Sequence, residues 1–185
     1  GWPTPALIAF DLEKAPARDF YALGETLLKE FGLLHGLVHC AATLALLSRI
    51  DDYDVKAWNK VIQLNLTAPF ILTQACLPLL RMADDASIIF TSDQVGRKGK
   101  AYWGAYGVAK SGIEGLMETL ADELDNSAIR VNSIAPGPTR TALRAWAFPG
   151  EDPQSLPSPD SRAVDYLYLA GPDSRDLNGR KLECT

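Results

Sequence analysis

The stretch SIIFTSDQVGRKGKAYWGAYGVAKSGIEGLMETLADELDNSAIRVNSIAPG, residues 87–137, holds the pattern that decides the fold class. Two short apolar runs, SIIFTS (87–92) and AIRVNSIAPG (128–137), flank a segment from Ala105 to Leu124. Within that segment Ala109, Ile113, Leu116, Met117, Leu120, Ala121 and Leu124 recur at helical spacing. Strand, helix and strand in that order predict parallel strands joined by a crossover helix. Upstream, ALIAFDL (6–12) reads as a buried strand, Arg18 to Phe31 as a helix and GLVHCAA (36–42) as a second strand. Asp54 to Gln63 and Leu66 to Met82 read as helices, and RKLEC (180–184) as a last strand. The alternation predicts an α/β chain, three layers with a parallel sheet covered on both faces, in a single domain over residues 1–185.

Composition narrows the functional classes. A chain of 185 residues, 47% hydrophobic, can bury one sizeable core. With a net charge of -5 and no basic stripe, a grip on nucleic acid or anionic lipid is not expected. The densest apolar region, Leu64 to Leu80, is broken by Asn65, Thr67, Thr73 and Gln74, so no membrane span is predicted. Cys40, Cys76 and Cys184 form no CxxC pair, which predicts neither a disulfide framework nor a zinc site and fits a reducing cytoplasm. His35 and His39 fall on a predicted strand, where their spacing holds no metal without further ligands. Residues 149–160, PGEDPQSLPSPD, carry four prolines and read as a loop, either a surface connection or a lid on the substrate side.

In AYWGAYGVAK (101–110), a helix starting at Ala105 puts Tyr106 and Lys110 one turn apart on one face. A nearby ammonium favours phenolate, so Lys110 is expected to lower the pKa of Tyr106 towards acid or base chemistry. Gly104 and Gly107 would let a ligand or second helix come close. Four residues beyond Asn65 stands Pro69, which has no N–H to answer the Asn65 carbonyl; that carbonyl could hold a water.

Taken together, YGVAK opening a long helix, FDL at the end of the first strand, QLNLTAPF with Asn65, and NSIAPGPTRT from Asn132 to Thr141 resemble the short-chain dehydrogenase/reductase family. AYWGAYGVAK, RTALRAWAFPGEDPQ and GPDSR bring the chain nearest its YciK-type branch of bacterial oxidoreductases. The resemblance implies a Rossmann-like doubly wound sheet and an NAD or NADP cofactor. It also implies a small-molecule carbonyl or alcohol substrate, with Tyr106 as acid/base, Lys110 as its electrostatic partner and Asn65 in a proton relay. For the cofactor it implies Asp11 and Leu12 near the adenine, Cys40, Ala41 and Ala42 near the ribose, and Pro136, Gly137, Thr139 and Thr141 about the nicotinamide, beside Tyr106 and Lys110. Asp11 could instead cap the next turn, and APGP could be a plain strand exit. The family's paired helices imply a homo-oligomer, dimer or tetramer, for which Gly112 and Gly115 leave room; they could equally serve packing within one subunit.

The chain departs from the family pattern in two places. Where the family carries its catalytic serine this chain has Asp93, which has no proton to give when ionised and would repel a developing alkoxide. Ser92 is adjacent, but strand alternation would turn it to the opposite face, and Gln94 could donate through its amide. CAA at 40–42 stands where Asn-Ala-Gly is usual. No GxGxxG or GxxxGxG occurs, and the strands that would separate ALIAFDL from GLVHCAA are missing, so a further N-terminal segment before Gly1 is expected. Three functions stay open: an NAD(P)-dependent oxidoreductase, a catalytically silent dinucleotide-binding relative, and an oligomer-forming structural protein. Trp146 and Phe148 suggest an apolar substrate pocket.

Overall fold

Pairing of Ile88 with Val131 and of Ile134 with Leu182 fixes the register of a four-stranded, all-parallel sheet. A computed structural model describes residues 5–184; Gly1, expected to follow a further segment, and the other terminal residues lie outside that range. The elements follow in chain order as α1 (Ala17–Phe31), β1 (Gly36–His39), α2 (Val55–Ile62), α3 (Ala68–Leu80), β2 (Ala86–Thr91), α4 (Gln94–Arg97), α5 (Gly104–Glu123), β3 (Ile129–Ala135), α6 (Ala142–Ala147), α7 (Pro159–Ala170) and β4 (Lys181–Glu183). The strands lie in the order β1-β2-β3-β4.

Alternation along the strands divides the core between two faces. Ile88, Phe90, Ile129 and Val131 meet Cys76 and Leu80 of α3 and Ile113 and Met117 of α5. Ile89 and Ile134 turn the other way, onto Leu169 of α7. Helices on both faces of a parallel sheet make this a three-layer, Rossmann-like α/β fold.

The expected strand at ALIAFDL is not formed. A strand exists through its neighbours' hydrogen bonds, and none of the four strands reaches this segment. Leu7 is 93% exposed, while Phe10 and Leu12 pack against the Phe20 cluster under α1. GLVHCAA is strand only to His39, so Cys40, Ala41 and Ala42 belong to the loop after it.

Helices α2 and α3 run on from one another through a π turn, Gln63–Thr67, directly before Pro69. In the turn the bonding pattern shifts by one residue, the Ala68 amide donating to the Gln63 carbonyl, and Pro69 has no N–H to offer. The continuous helix Val55–Leu80 is, against expectation, long and apolar enough by composition to cross a membrane. Its α3 half is instead laid on the sheet through Thr73, Cys76, Leu79 and Leu80.

The proline-rich stretch contains a 3-10 turn at Pro153–Ser155, capped by Asp152, and passes into α7 at Pro159. It is tied to the preceding loop: the Arg140 amide donates to the Pro157 carbonyl at 2.9 Å, and Arg140 Nη1 to Gln154 Oε1 at 2.8 Å.

Candidate active site

Tyr106 and Lys110 enter on the first turns of α5 and are buried, 4% and 3% exposed. Lys110 Nζ donates to the Thr91 carbonyl at the end of β2 at 2.6 Å and lies 5.6 Å from the centroid of the Tyr106 ring. Asp93, two residues past β2, caps α4: its Oδ1 accepts from the Val95 amide at 3.0 Å. Its Oδ2 accepts from the Tyr106 hydroxyl at 3.4 Å. Close approach of α4 to α5 requires Gly96, where a Cβ would lie 2.7 Å from the Lys110 carbonyl carbon.

These groups open on a cleft of about 380 Å³ outside the carboxyl ends of β2 and β3, the usual ligand side of a doubly wound sheet. One wall is Pro136 to Thr139 with Thr141, where Gly137 holds a φ of +69°. Cys40 and Ala42 supply another part. Trp103, Leu143, Ala147 and Phe148 make the apolar side. Trp103 stands 5.6 Å from Tyr106 and 5.9 Å from Phe148, centroid to centroid.

Electrostatics here run opposite to the expectation for Tyr106. Burial first, then the charge of Asp93 and its hydrogen bond, push the Tyr106 hydroxyl above its ordinary 10.0. The Lys110 ammonium is committed to the Thr91 carbonyl and exerts no comparable downward pull. Burial lowers Lys110 itself to about 8, against the opposing charges of Asp93, Cys40 and Glu114. His39 is lowered to about 4 by burial and then by Lys110. Its Nε2 meets Thr73 Oγ1 at 2.8 Å and its ring stacks on Phe90. Among the described residues no cluster of His, Cys, Asp and Glu could hold a metal.

Residues 5–152 match the model of the short chain dehydrogenase family. The chain belongs to that family. It is 42% identical over 175 residues to the oxidoreductase YciK of Escherichia coli, covering 95% of this chain and 69% of YciK. A solved short chain dehydrogenase structure from Pseudomonas syringae is 48% identical, with a TM-score of 0.96, over 98% of this chain and 74% of that one. Another from Shigella flexneri, complexed with NADP, is 41% identical at a TM-score of 0.95, over 98% and 75% of the two chains. Of further relatives matched over 119 and 122 residues, the chain spans 47% and 46%.

Several of the residues expected from the family pattern come together. Cys40, Ala42, Ser92, Asp93, Tyr106, Lys110, Pro136, Gly137, Thr139 and Thr141 all line the one cleft. Ser92 does so although strand alternation would turn it away, because β2 ends at Thr91 and the rule ends with it. Its Oγ is buried with no hydrogen-bond partner. Asn65, 2% exposed, is held in the π turn: Oδ1 accepts from the Thr43 amide at 2.8 Å and Nδ2 donates to the Thr43 carbonyl at 2.7 Å.

Other expected residues are placed elsewhere. Asp11 caps its own turn, accepting from the amides of Glu13 and Lys14 at 3.0 and 3.2 Å, and Leu12 packs under α1. Ala41 and Trp146 do not line the cleft, and Trp146 is 62% exposed. Gly104 makes room for the Tyr53 ring, not a ligand, and Gly112 for Leu66.

Arg144, Arg162 and Tyr166 line the cleft without having been singled out by sequence pattern. They sit on α6 and α7, whose short or mixed periodicity hid the helices themselves.

A nicotinamide suits this wall. A loop with Gly137 at positive φ brings backbone close, and Ser92 Oγ is a buried hydroxyl without a partner.

Proposed function

We propose that the chain carries the hydride-transfer site of an NAD(P)-dependent oxidoreductase acting on a carbonyl/alcohol pair. The observation that carries the reading is Tyr106 with its ring centroid 5.6 Å from the Lys110 ammonium, both in a cleft closed on one side by the Pro136–Thr141 loop. The NADP complex of the Shigella flexneri relative supports the choice of cofactor. When bound, the reduced dinucleotide would supply a hydride, which carries both electrons. Pro136, Gly137, Thr139 and Thr141 would hold its nicotinamide, Lys110 its ribose, and Cys40 and Ala42 the neighbouring sugar face.

Tyr106 acts as the acid. A phenol pushed above its ordinary range keeps its proton at neutral pH, so the protonated form meets the substrate, as a weaker acid than an ordinary tyrosine. A group in that form can give a proton, the transfer that carbonyl reduction needs. Ser92 Oγ is the neutral donor available to the substrate oxygen or the carboxamide. The apolar side formed by Trp103, Leu143 and Phe148 excludes water and suits a substrate with an apolar body. The carbonyl of Asn65, which Pro69 cannot answer, remains the candidate for a relay water.

A second reading is favoured by Asp93. A carboxylate 3.4 Å from the Tyr106 hydroxyl opposes the charge that a carbonyl develops, which suits a dinucleotide-binding protein of poor carbonyl turnover.

Residues 149–160 would border the substrate side of a single catalytic domain, Pro159 reaching the cleft. Gly115, with nothing within 4 Å of a Cβ, and half-exposed Phe70 and Val108 leave α3 and α5 a face for a second copy. The free thiols of Cys40, Cys76 and Cys184 suit a reducing cytoplasm.

Energy transfer from tryptophan to NADPH tests the reading. Saturable transfer with Trp103 at the cleft, weakened in Lys110→Met, is expected; no saturable signal would leave no dinucleotide site.

A further inference from the structure

Asp93 is the group in the cleft that carbonyl chemistry does not use. Any substrate atom that takes the Tyr106 proton must also come close to Asp93 Oδ2, which is 3.4 Å from that hydroxyl. A neutral carbonyl becomes more negative as it is reduced, and a carboxylate beside it raises the barrier. A protonated carbon–nitrogen double bond has the opposite sign. It enters as a cation, and its N–H gives the carboxylate a charge-assisted hydrogen bond.

The surroundings suit an organic cation. Trp103 presents its ring beside those of Tyr106 and Phe148, which already carry Lys110 and Arg144, and a cation within about 6 Å of such a ring is attracted by it. The positive side chains of the cleft have their own engagements. Arg144 is held by Glu151 at 2.6 and 2.7 Å and stacks on Phe148, and Lys110 donates to Thr91. Arg162 lies on the α7 side. Among the described residues Asp93 is joined to no cation by a salt bridge, although its charge acts on Lys110 and Arg144, and its Oδ2 has the long bond from Tyr106.

We propose that the site takes, in preference to a ketone, the iminium form of a cyclic aromatic amine, with the N–H held on Asp93. The proposal rests on the reading of the cleft as a hydride-transfer site. Hydride passes from a reduced nicotinamide dinucleotide to the iminium carbon, the C=N π pair becomes the nitrogen lone pair, and a neutral amine and oxidised dinucleotide leave. An iminium needs no proton at this step. A neutral imine takes one from Tyr106, which is restored from solvent.

Two arms test it separately from the hydride reading. In the first, without dinucleotide, tryptophan emission is titrated with protonated tetrahydroisoquinoline and with isochroman, its neutral oxygen counterpart. The ammonium binds about tenfold or more tighter, and Asp93→Asn, which keeps the cap on α4, abolishes the preference. Equal binding of the two, or an unchanged preference in Asp93→Asn, overturns the proposal. In the second, with NADPH, dihydroisoquinolinium is reduced faster than tetralone, and Asp93→Ser reverses the order. Faster reduction of tetralone by the unaltered chain overturns it. Failure of NADPH to bind would sink the hydride reading, and the first arm would still decide whether the site selects a cation.

Discussion

Asp93 Oδ2 accepts a hydrogen bond from the Tyr106 hydroxyl at 3.4 Å, while the Lys110 ammonium one turn along is tied to the Thr91 carbonyl. The phenol therefore answers to an anion more than to a cation. That relationship makes Tyr106 a proton holder, and it depends on how closely α4 is pressed against α5.

Gly96 is the contact that allows this approach. A Cβ there would lie 2.7 Å from the Lys110 carbonyl carbon and 2.9 Å from its oxygen, and backbone cannot swing aside as a side-chain tip can. Gly96→Ala is expected to cost about 2 kcal/mol in denaturant unfolding and to lose activity beyond what the lost stability explains. Gly115→Ala, with open space around it, should stabilise the helix by up to about 1 kcal/mol.

Lys110 gives a rising stability with alkali. It titrates at about 8 when folded and 10.5 when unfolded, so between those values the unfolded chain binds more protons and stability climbs with pH. Tyr106 works the other way above its ordinary 10.0, so the measurable window is pH 8 to 10. Unfolding free energies of Lys110→Met across that window should rise less steeply than those of the parent.

His39 sets an acid limb. Its folded value of about 4 lies below the ordinary 6.5, so stability present above pH 6.5 is lost as pH falls towards 4. At about 1.4 kcal/mol per unit, the loss is on the order of 3 kcal/mol. His39→Gln, able to keep a bond to Thr73, should flatten that limb in acid unfolding.

Glu114 is a buried carboxylate beneath the site, 3% exposed. It accepts from Ser133 Oγ at 2.7 Å and Arg97 Nε at 3.3 Å, and Arg97 also reaches Glu183 at 2.6 Å. Removing it strands a hydroxyl and part of a guanidinium, so Glu114→Ala should cost about 3 kcal/mol, with Glu114→Gln costing less. Thermal melting of the pair checks the order.

The β2–α5–β3 unit was legible because the apolar runs of both strands and the helical spacing of Ile113 and Met117 meet in one core with Ile88 and Val131. The stretch ALIAFDL has the composition of a strand, but a strand is a relation between segments, and Leu7 is left in solvent. Helix α7 escaped notice because Val164 and Leu167 are exposed, which blurs any apolar stripe. The pairing of Tyr106 with Lys110 could be read from helix geometry, whereas its electrostatic outcome could not. Burial and the arrival of Asp93 from the preceding loop are tertiary facts, as is the hold of Thr91 on the lysine.

Replacing Tyr106 by Phe removes the proton and little else, since the hydroxyl makes one long bond. Reduction of the ketone tetralone by NADPH, measured beside NADPH affinity in the same variant, is the most direct test. The proposed role predicts affinity within about twofold of the parent and turnover lower by about a thousandfold. Turnover close to the parent's would show that the phenol is not the proton source.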